Sequence, residues 1–365
     1  MLTLEIVSTS ARFNALREEW NALAESFGTP LLRHEWFVAC LAGFGGDRQL
    51  AVFTAWEDGR LRAAAPLLVS NFAGSALSFL GLETTEPGGF LYADQRALDF
   101  LADALLDRRL PLVLPRLKAD GSELQALRAQ TGRRGVWLLR AGNTATATVP
   151  LACDFATFEA RMTSEERRQM RRRYRRAERE GALSFEITSP ADCDLAVRLR
   201  EIYEVEASGW KRQAGTAILC DARIERFCNS LASWAAKAGI LRLAVMRIGG
   251  KAAAGGILLE YTGRLWGLKQ GYDERWAPCA PSILLAHECI RYACGKGLAA
   301  YEFLGNAEKF QMRWPLAITP YSRLRYYPFS LRGVAAGAAD ACRMPFNRWH
   351  WRRRGHDRAS AALQR

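Results

Sequence analysis

The stretch LRLAVMRIGGKAAAGGILLEYTGRLWGLKQGYDERWAPCAPSILLAHECIRYACGKGLAAYEFL, residues 241–304, decides the fold. An apolar strand beginning at Leu241 closes on Gly249-Gly250, a glycine turn that returns the chain as a second strand, Lys251 to Glu260. After Gly263 a third strand, Arg264 to Gln270, completes a meander. Gly271-Tyr272-Asp273 then breaks the pattern. From a start at Ala280-Pro281-Ser282, apolar Ile283, Leu284, Ala286, Ile290 and Ala293 recur at helical spacing until Gly295 and Gly297 stop them. Tyr301, Phe303 and Leu304 make another short strand. Hairpin, strand, break, amphipathic helix, strand is an order that opens a sheet at the break.

A helix leaves its first four N–H groups without an intrahelical partner, and its dipole favours negative charge at that end. A helix that starts beside an opened sheet therefore offers a place for a pyrophosphate or a carboxylate. Ser282 is expected to supply the cap, while Pro281 fixes the entry angle and removes one donor. A capped helix without a ligand has the same sequence, so the strands around it carry the inference.

Working outward, 365 residues exceed one ordinary core and suit two domains, 1–150 and 151–330, followed by a basic tail, 331–365. The amino end, Met1 to Val7, alternates and lacks the basic start and apolar run of a signal peptide, so it reads as a strand. No segment holds the ~20 apolar residues of a membrane span. The expected location is the cytoplasm, with peripheral contact at the inner membrane face. The nine cysteines show no Cys-x-x-Cys pair and the four histidines do not cluster with them, save His287 near Cys289, which argues against a disulfide framework and a metal site. Net charge of +13 is concentrated in Arg167, Arg168, Arg171, Arg172, Arg173, Arg175, Arg176 and Arg179 and in a tail running from Arg343 to Arg365 that also carries Trp349 and Trp351. Such runs suit tRNA, an anionic membrane surface or plain solvation.

In the first half, residues 11 to 24 read as one amphipathic helix, and His34 begins a second that stops at Gly43. Asp58-Gly59 turns a hairpin from Leu50 to Val69. Strand Ser75 to Leu80, an acidic loop Gly81 to Gly89 able to line a cleft and to suit an amine-rich molecule, helix Leu98 to Leu106 and strand Leu112 to Leu114 follow. This repeats the order of 241–304, so an internal duplication is expected, with the first copy the noncatalytic one. Glu123 to Ala129 is helical, and Gly135 to Leu139 and Thr144 to Val149 are further strands.

In the second half, Thr163 with Glu166 makes a capping-box pattern for the arginine helix, which Gly181 ends. A strand Leu183 to Ile187 and a helix from about Ala191 to Ala207 follow. That helix ends near Glu206, Trp210 and Lys211, where the indole can roof a pocket and the lysine can pair with a carboxylate or phosphate, or both can be plain helix-end residues. Between Tyr301 and the last strand, Ser322 to Tyr327, lies a dense polar patch from Gly305 to Trp314. Glu302, on an apolar strand, is the first candidate base because a desolvated carboxyl has a raised pKa. Glu308 is its rival.

Glu206 to Lys211, Lys269 to Asp273, Pro281-Ser282 with Leu284-Leu285, Tyr301 to Gly305, Glu308 to Phe310 and Trp314 resemble the BioF2-like or CelD-like acetyltransferases of the GNAT superfamily, which are similar in fold to FemAB-type transferases that take amino acids from charged tRNA. The resemblance covers about 150–328 and is loose before it. It implies an α/β fold with mixed sheets in two tandem GNAT-like halves, and direct transfer of an acetyl or other acyl group from acyl-CoA to an amine or hydroxyl in a cleft between them. It implies catalytic roles for Glu302, Glu308, Lys309 and Lys211, and acyl-CoA contacts from Gln270, Gly271, Tyr272, Pro281, Ser282 and Ile283. Acceptor contacts would come from Glu206, Trp210, Lys269, Asn306, Phe310 and Trp314, with a small-molecule or envelope-precursor acceptor and a monomer or homodimer. The chain departs from the pattern at Ser282, where glycine commonly follows the proline, at Glu302, where aspartate is common, and in the order Lys309-Phe310. Two alternatives remain: an aminoacyl-tRNA-dependent transferase, and a noncatalytic envelope or polysaccharide-binding protein.

Overall fold

The computed structural model describes residues 1–70, 76–134, 137–151, 154–190 and 194–342; the arginines and tryptophans of the tail beyond 342 lie outside it. The first half runs β1 (Thr3–Val7), α1 (Ser10–Ala15), α2 (Arg17–Ala24), α3 (His34–Phe44), β2 (Gln49–Leu50), β3 (Val52–Glu57), β4 (Arg60–Ala65), β5 (Leu67–Ser70), β6 (Ala76–Phe79), β7 (Leu91–Tyr92), α4 (Gln95–Asp107), β8 (Leu112–Lys118), α5 (Ser122–Arg134) and β9 (Trp137–Pro150). The second runs α6 (Phe155–Ala160), α7 (Ser164–Glu180), β10 (Leu183–Thr188), α8 (Leu195–Ala207), α9 (Trp210–Gln213), α10 (Ala222–Lys237), β11 (Leu241–Ile248), β12 (Lys251–Tyr261), β13 (Arg264–Tyr272), α11 (Pro281–Gly295), β14 (Ala300–Glu302) and β15 (Ala317–Tyr327). The expected single helix over 11–24 is two, parted at Leu16.

Eleven strands form one sheet in the order β10-β11-β12-β13-β14-β9-β15-β8-β6-β5-β2, beside a four-stranded sheet β1-β3-β4-β7. The Leu50 to Val69 segment is therefore not one hairpin: β3 and β4 pair in the small sheet while β2 and β5 pair in the large one. In the middle of the large sheet β9 lies between β14 and β15, and β15 lies between β9 and β8. Strands distant in sequence thus tie the two ends of the chain together at its centre.

Alternation in β11 explains the layers. Leu241, Leu243 and Val245 enter one apolar core with α8 and α10, whereas Ala244, Met246 and Ile248 enter the other with α7 and α11. The first core also takes the helices of the first half. There α3 meets α10 so closely that a Cβ on Gly43 would lie 2.6 Å from the Arg223 carbonyl oxygen, and Trp36 stacks edge-on to Phe227 at 5.3 Å. On the other side, Leu284, Leu285, Ile290 and Ala293 bury the inner stripe of α11, each large side chain contributing roughly 1.5–3 kcal/mol.

A tyrosine and a histidine tie the arginine helix to α11. Tyr174 on α7 donates to Glu288, so the 2.9 Å contact to His287 Nδ1 is completed by the imidazole's own N–H. Burial holds the His287 pKa down at about 3, and the ring stays neutral. The expected cap of α7 is present, with Thr163 Oγ1 accepting from the Glu166 N–H at 3.1 Å.

Candidate active site

Strands β13 and β14 run parallel for three residue pairs, Arg264 with Ala300 through Trp266 with Glu302. Beyond Trp266 they separate. β13 continues beside β12 to Tyr272, while the chain after Glu302 follows β9, with Phe303 donating to the Ala147 carbonyl and Ala307 to that of Ala145. The opening is a cleft of about 630 Å³, lined on one wall by Gly267 to Tyr272, on the other by Phe303 to Asn306, and at one end by Pro281, Ser282 and Ile283 of α11.

The start of α11 corrects one expectation. Its cap is Ala280, held at φ 54°, and no side chain caps it, because Ser282 falls one residue inside the helix. Gln270 instead ties strand to helix, donating through Nε2 to the Ser282 carbonyl at 2.7 Å. Two glycines let neighbours approach β13. A Cβ on Gly271 would meet Glu206 Cγ at 2.5 Å, and one on Gly267 would meet the Tyr301 hydroxyl at 2.9 Å.

Lys211 lines the cleft but is committed, since its ammonium donates to Glu206 Oε1 and to the Gln270 carbonyl, both at 2.7 Å. Glu206 is 3% exposed and its other oxygen accepts the Ile218 N–H at 2.9 Å, so the pair pins α8, α9 and β13 together. Lys269, Asn306, Phe310, Tyr272 and Glu308 also line the cleft. Lys309 is exposed outside the lining, and Trp314 is buried in the core against Phe303 at 5.2 Å. Trp210 begins α9, and its side chain lies outside the described ones.

Glu302 points elsewhere. It accepts from Arg264 Nη1 at 2.6 Å and from Thr148 Oγ1 at 2.5 Å, and it lines a second cleft. The acidic loop of the first half does line the first cleft, through Glu86, a carboxylate that sequence reasoning did not rank as a base. It is 8% exposed, and burial raises its pKa against the opposing pull of Lys269, the Gly305 N–H and Arg116. Gly305 donates to Glu86 Oε2 at 2.8 Å and gives its carbonyl to Arg116 Nη1 at 2.7 Å; the same nitrogen holds the Thr85 carbonyl at 2.8 Å. Arg116, 1% exposed, thereby clasps the first-half loop against the far wall of the cleft. Tyr301 also reaches the lining, its phenol pushed well up by burial.

Residues 164–312 match the family model of the acetyltransferase (GNAT) domain. The solved structure of FemX superposes with a TM-score of 0.57 at 12% identity, covering 87% of this chain and 96% of that one. The C-terminal domain of a putative lysylphosphatidylglycerol synthetase from Agrobacterium fabrum gives 0.56 at 12% identity over 91% and 97%, and L-PGS from Bacillus licheniformis 0.53 at 14% over 87% and 94%. At these identities the likeness is one of fold. No curated protein matches the chain. The mixed α/β architecture, a central sheet flanked by helices, is consistent with a tandem GNAT-like acyltransferase fold, and the matched domain supports a transferase-like activity. Among the described residues there is no group of three or more His, Cys, Asp or Glu placed to hold a metal ion, and no helix long and apolar enough to cross a membrane.

Proposed function

We propose that the chain is an acyl-CoA-dependent acyltransferase of the BioF2-like or CelD-like kind, organised as domains 1–150 and 151–330, that acylates an amine or hydroxyl directly in the cleft between β13 and β14. The observation that carries this is the separation of the two strands beyond Trp266, with the amino end of α11 closing the opening. The side of β13 that leaves β14 there offers main-chain groups to an extended amide arm, and at the amino end of α11 the helix dipole and the Ser282 N–H suit the pyrophosphate, Pro281 having no N–H and Ile283 and Leu284 donating to the Ala280 carbonyl. Leu258, Leu285 and Phe303 give the acyl chain an apolar wall.

Transfer needs a base at the reacting end of the cleft, and Glu86 has the position and the raised pKa for it. The acceptor lone pair attacks the thioester carbonyl, its proton passes to Glu86, and the CoA thiolate leaves and takes up a proton. Backbone donors at the cleft wall steady the oxyanion. No covalent enzyme intermediate is required.

Isothermal titration with acetyl-CoA and longer acyl-CoAs, at two salt concentrations, tests this beside Ser282→Glu. A glutamate in the first turn stabilises a helix, so weakened binding by this variant reports charge repulsion of the pyrophosphate and not unfolding. Saturable binding by the parent, about tenfold or more weaker in the variant, is expected. Failure of the parent to bind any acyl-CoA overturns the proposal.

A second reading, transfer from a charged tRNA, is favoured by Arg168, Arg171, Arg172, Arg175, Arg176 and Arg179, all exposed on α7. Tight binding of aminoacyl-tRNA that falls steeply with salt would select it.

A further inference from the structure

The central strands of a sheet covered on both sides are ordinarily apolar on both faces, and β9 is not. Its sequence Thr144-Ala145-Thr146-Ala147-Thr148-Val149 buries Ala147 and Val149 on one face and sets three threonines on the other. Register extends that hydroxyl face sideways: Thr146 lies opposite Thr319, Thr144 opposite Tyr321, Thr148 opposite Glu302, Glu302 opposite Trp266, and Tyr321 opposite Lys118. Threonine favours strands anywhere, but here the threonine face is the floor of a second cleft of about 710 Å³. Its rim is backbone-rich, with Gly28, Gly88, Gly89 and Gly121, and Thr262 Oγ1 bridges one side to the Gly28 carbonyl at 2.7 Å.

The chemistry of the lining is that of a ligand with many hydroxyls and an apolar face. Threonine and tyrosine hydroxyls each donate and accept, as sugar hydroxyls do, and Trp266, Tyr92 and Tyr321 offer ring surfaces. The lining carries two cations and three carboxylates: Glu302 is paired with Arg264, and Lys118 shares the wall with Asp120 and Glu123, an excess of negative charge that disfavours a polyanion. Arg116, on the threonine face beside Thr144 and 5.5 Å from the Tyr321 ring centre, keeps a buried Nη2 without a partner among the described residues.

We propose that this second cleft is a carbohydrate-binding site and that it holds the acceptor. The two clefts share Leu304 as a common wall, and the loop that lends Glu86 to the first lends Pro87, Gly88 and Gly89 to the second. A sugar on the threonine floor that extends a hydroxyl or amino group past Leu304 meets Glu86. The acceptor role rests on the acyltransferase reading; the binding of sugar does not.

The test is titration of the full chain with D-glucosamine, N-acetyl-D-glucosamine and cellobiose, followed calorimetrically or by saturation-transfer NMR, for the parent, Thr319→Val and Tyr321→Phe. Expected is saturable binding of at least one saccharide, weakened about tenfold by each variant, with acyl-CoA affinity unchanged and a melting temperature within about 2 °C of the parent, the Tyr321→Phe change also losing the hydrogen bond to Thr146. No binding of any of the three by the parent, or equal binding by parent and variants, overturns the proposal. Saccharide binding without acyl-CoA binding would sink the acyltransferase reading and leave this site standing.

Discussion

Replacing Lys211 by alanine would leave Glu206, 3% exposed, as a carboxylate facing β13 with one hydrogen bond, from Ile218. Breaking a buried ion pair on one side costs about 3–5 kcal/mol, because the remaining charge stays desolvated. Lys211 is 23% exposed, so water can reach part of the vacated space and the lower end, about 3 kcal/mol, applies. Unfolding entropy of about 2.1 cal/mol/K per residue over 365 residues gives about 0.8 kcal/mol/K, hence a fall in Tm of about 4 °C if the chain melts as a unit. Differential scanning calorimetry reads it directly. Adding Glu206→Gln to Lys211→Ala removes the stranded charge while keeping an oxygen for the Ile218 N–H, and should recover more than half of the loss. A Lys211→Ala protein that melts within about 1 °C of the parent but no longer turns over would refute this account and put the lysine in the chemistry.

Glu86→Gln should leave acyl-CoA affinity and melting unchanged while lowering turnover about 10²-fold or more, measured with any acceptor that the parent acylates. Gly271→Ala forces its Cβ to 2.5 Å from Glu206 Cγ, so α8 or β13 must move; a loss of about 1–3 kcal/mol in a denaturant titration, with weaker acyl-CoA binding, is expected. His287 gives a pH signature. Its folded pKa of about 3 lies below the unfolded value of about 6.5, so the unfolded chain binds more protons between them. Its contribution is full above the unfolded pKa and is lost as pH falls, at up to about 1.4 kcal/mol per unit, and His287→Gln should flatten that part of the stability profile.

Local rules made much of this legible. Gly249-Gly250, Asp58-Gly59 and the periodicity of 283–293 announce a turn, a turn and a helix because each depends on neighbours within a few residues. Ser282 misled because a serine after proline looks like a cap, whereas Ala280 takes the left-handed conformation and starts the helix two residues sooner. Glu302 and Thr148 are on strands as expected, yet their meeting depends on the register of β14 with β9, which no local pattern announces. The alternation Thr-Ala-Thr-Ala-Thr from 144 was in plain sight and could have flagged a polar face in the middle of a sheet.

The sequence by itself determined the order of elements from β11 to β14, the break after β13 and the amphipathic helix that follows it, since propensity, periodicity and turn chemistry are short-range. Only the tertiary structure decided that Glu86 from the first half meets Gly305 from the second, that Lys211 is spent on Glu206 and Gln270, and that Glu302 serves a different cleft. Those facts arise from strand pairing and helix packing between residues more than a hundred positions apart in the case of Glu86 and Gly305, where burial and hydrogen-bond satisfaction are settled by the whole fold and leave no signature in any one stretch of chain.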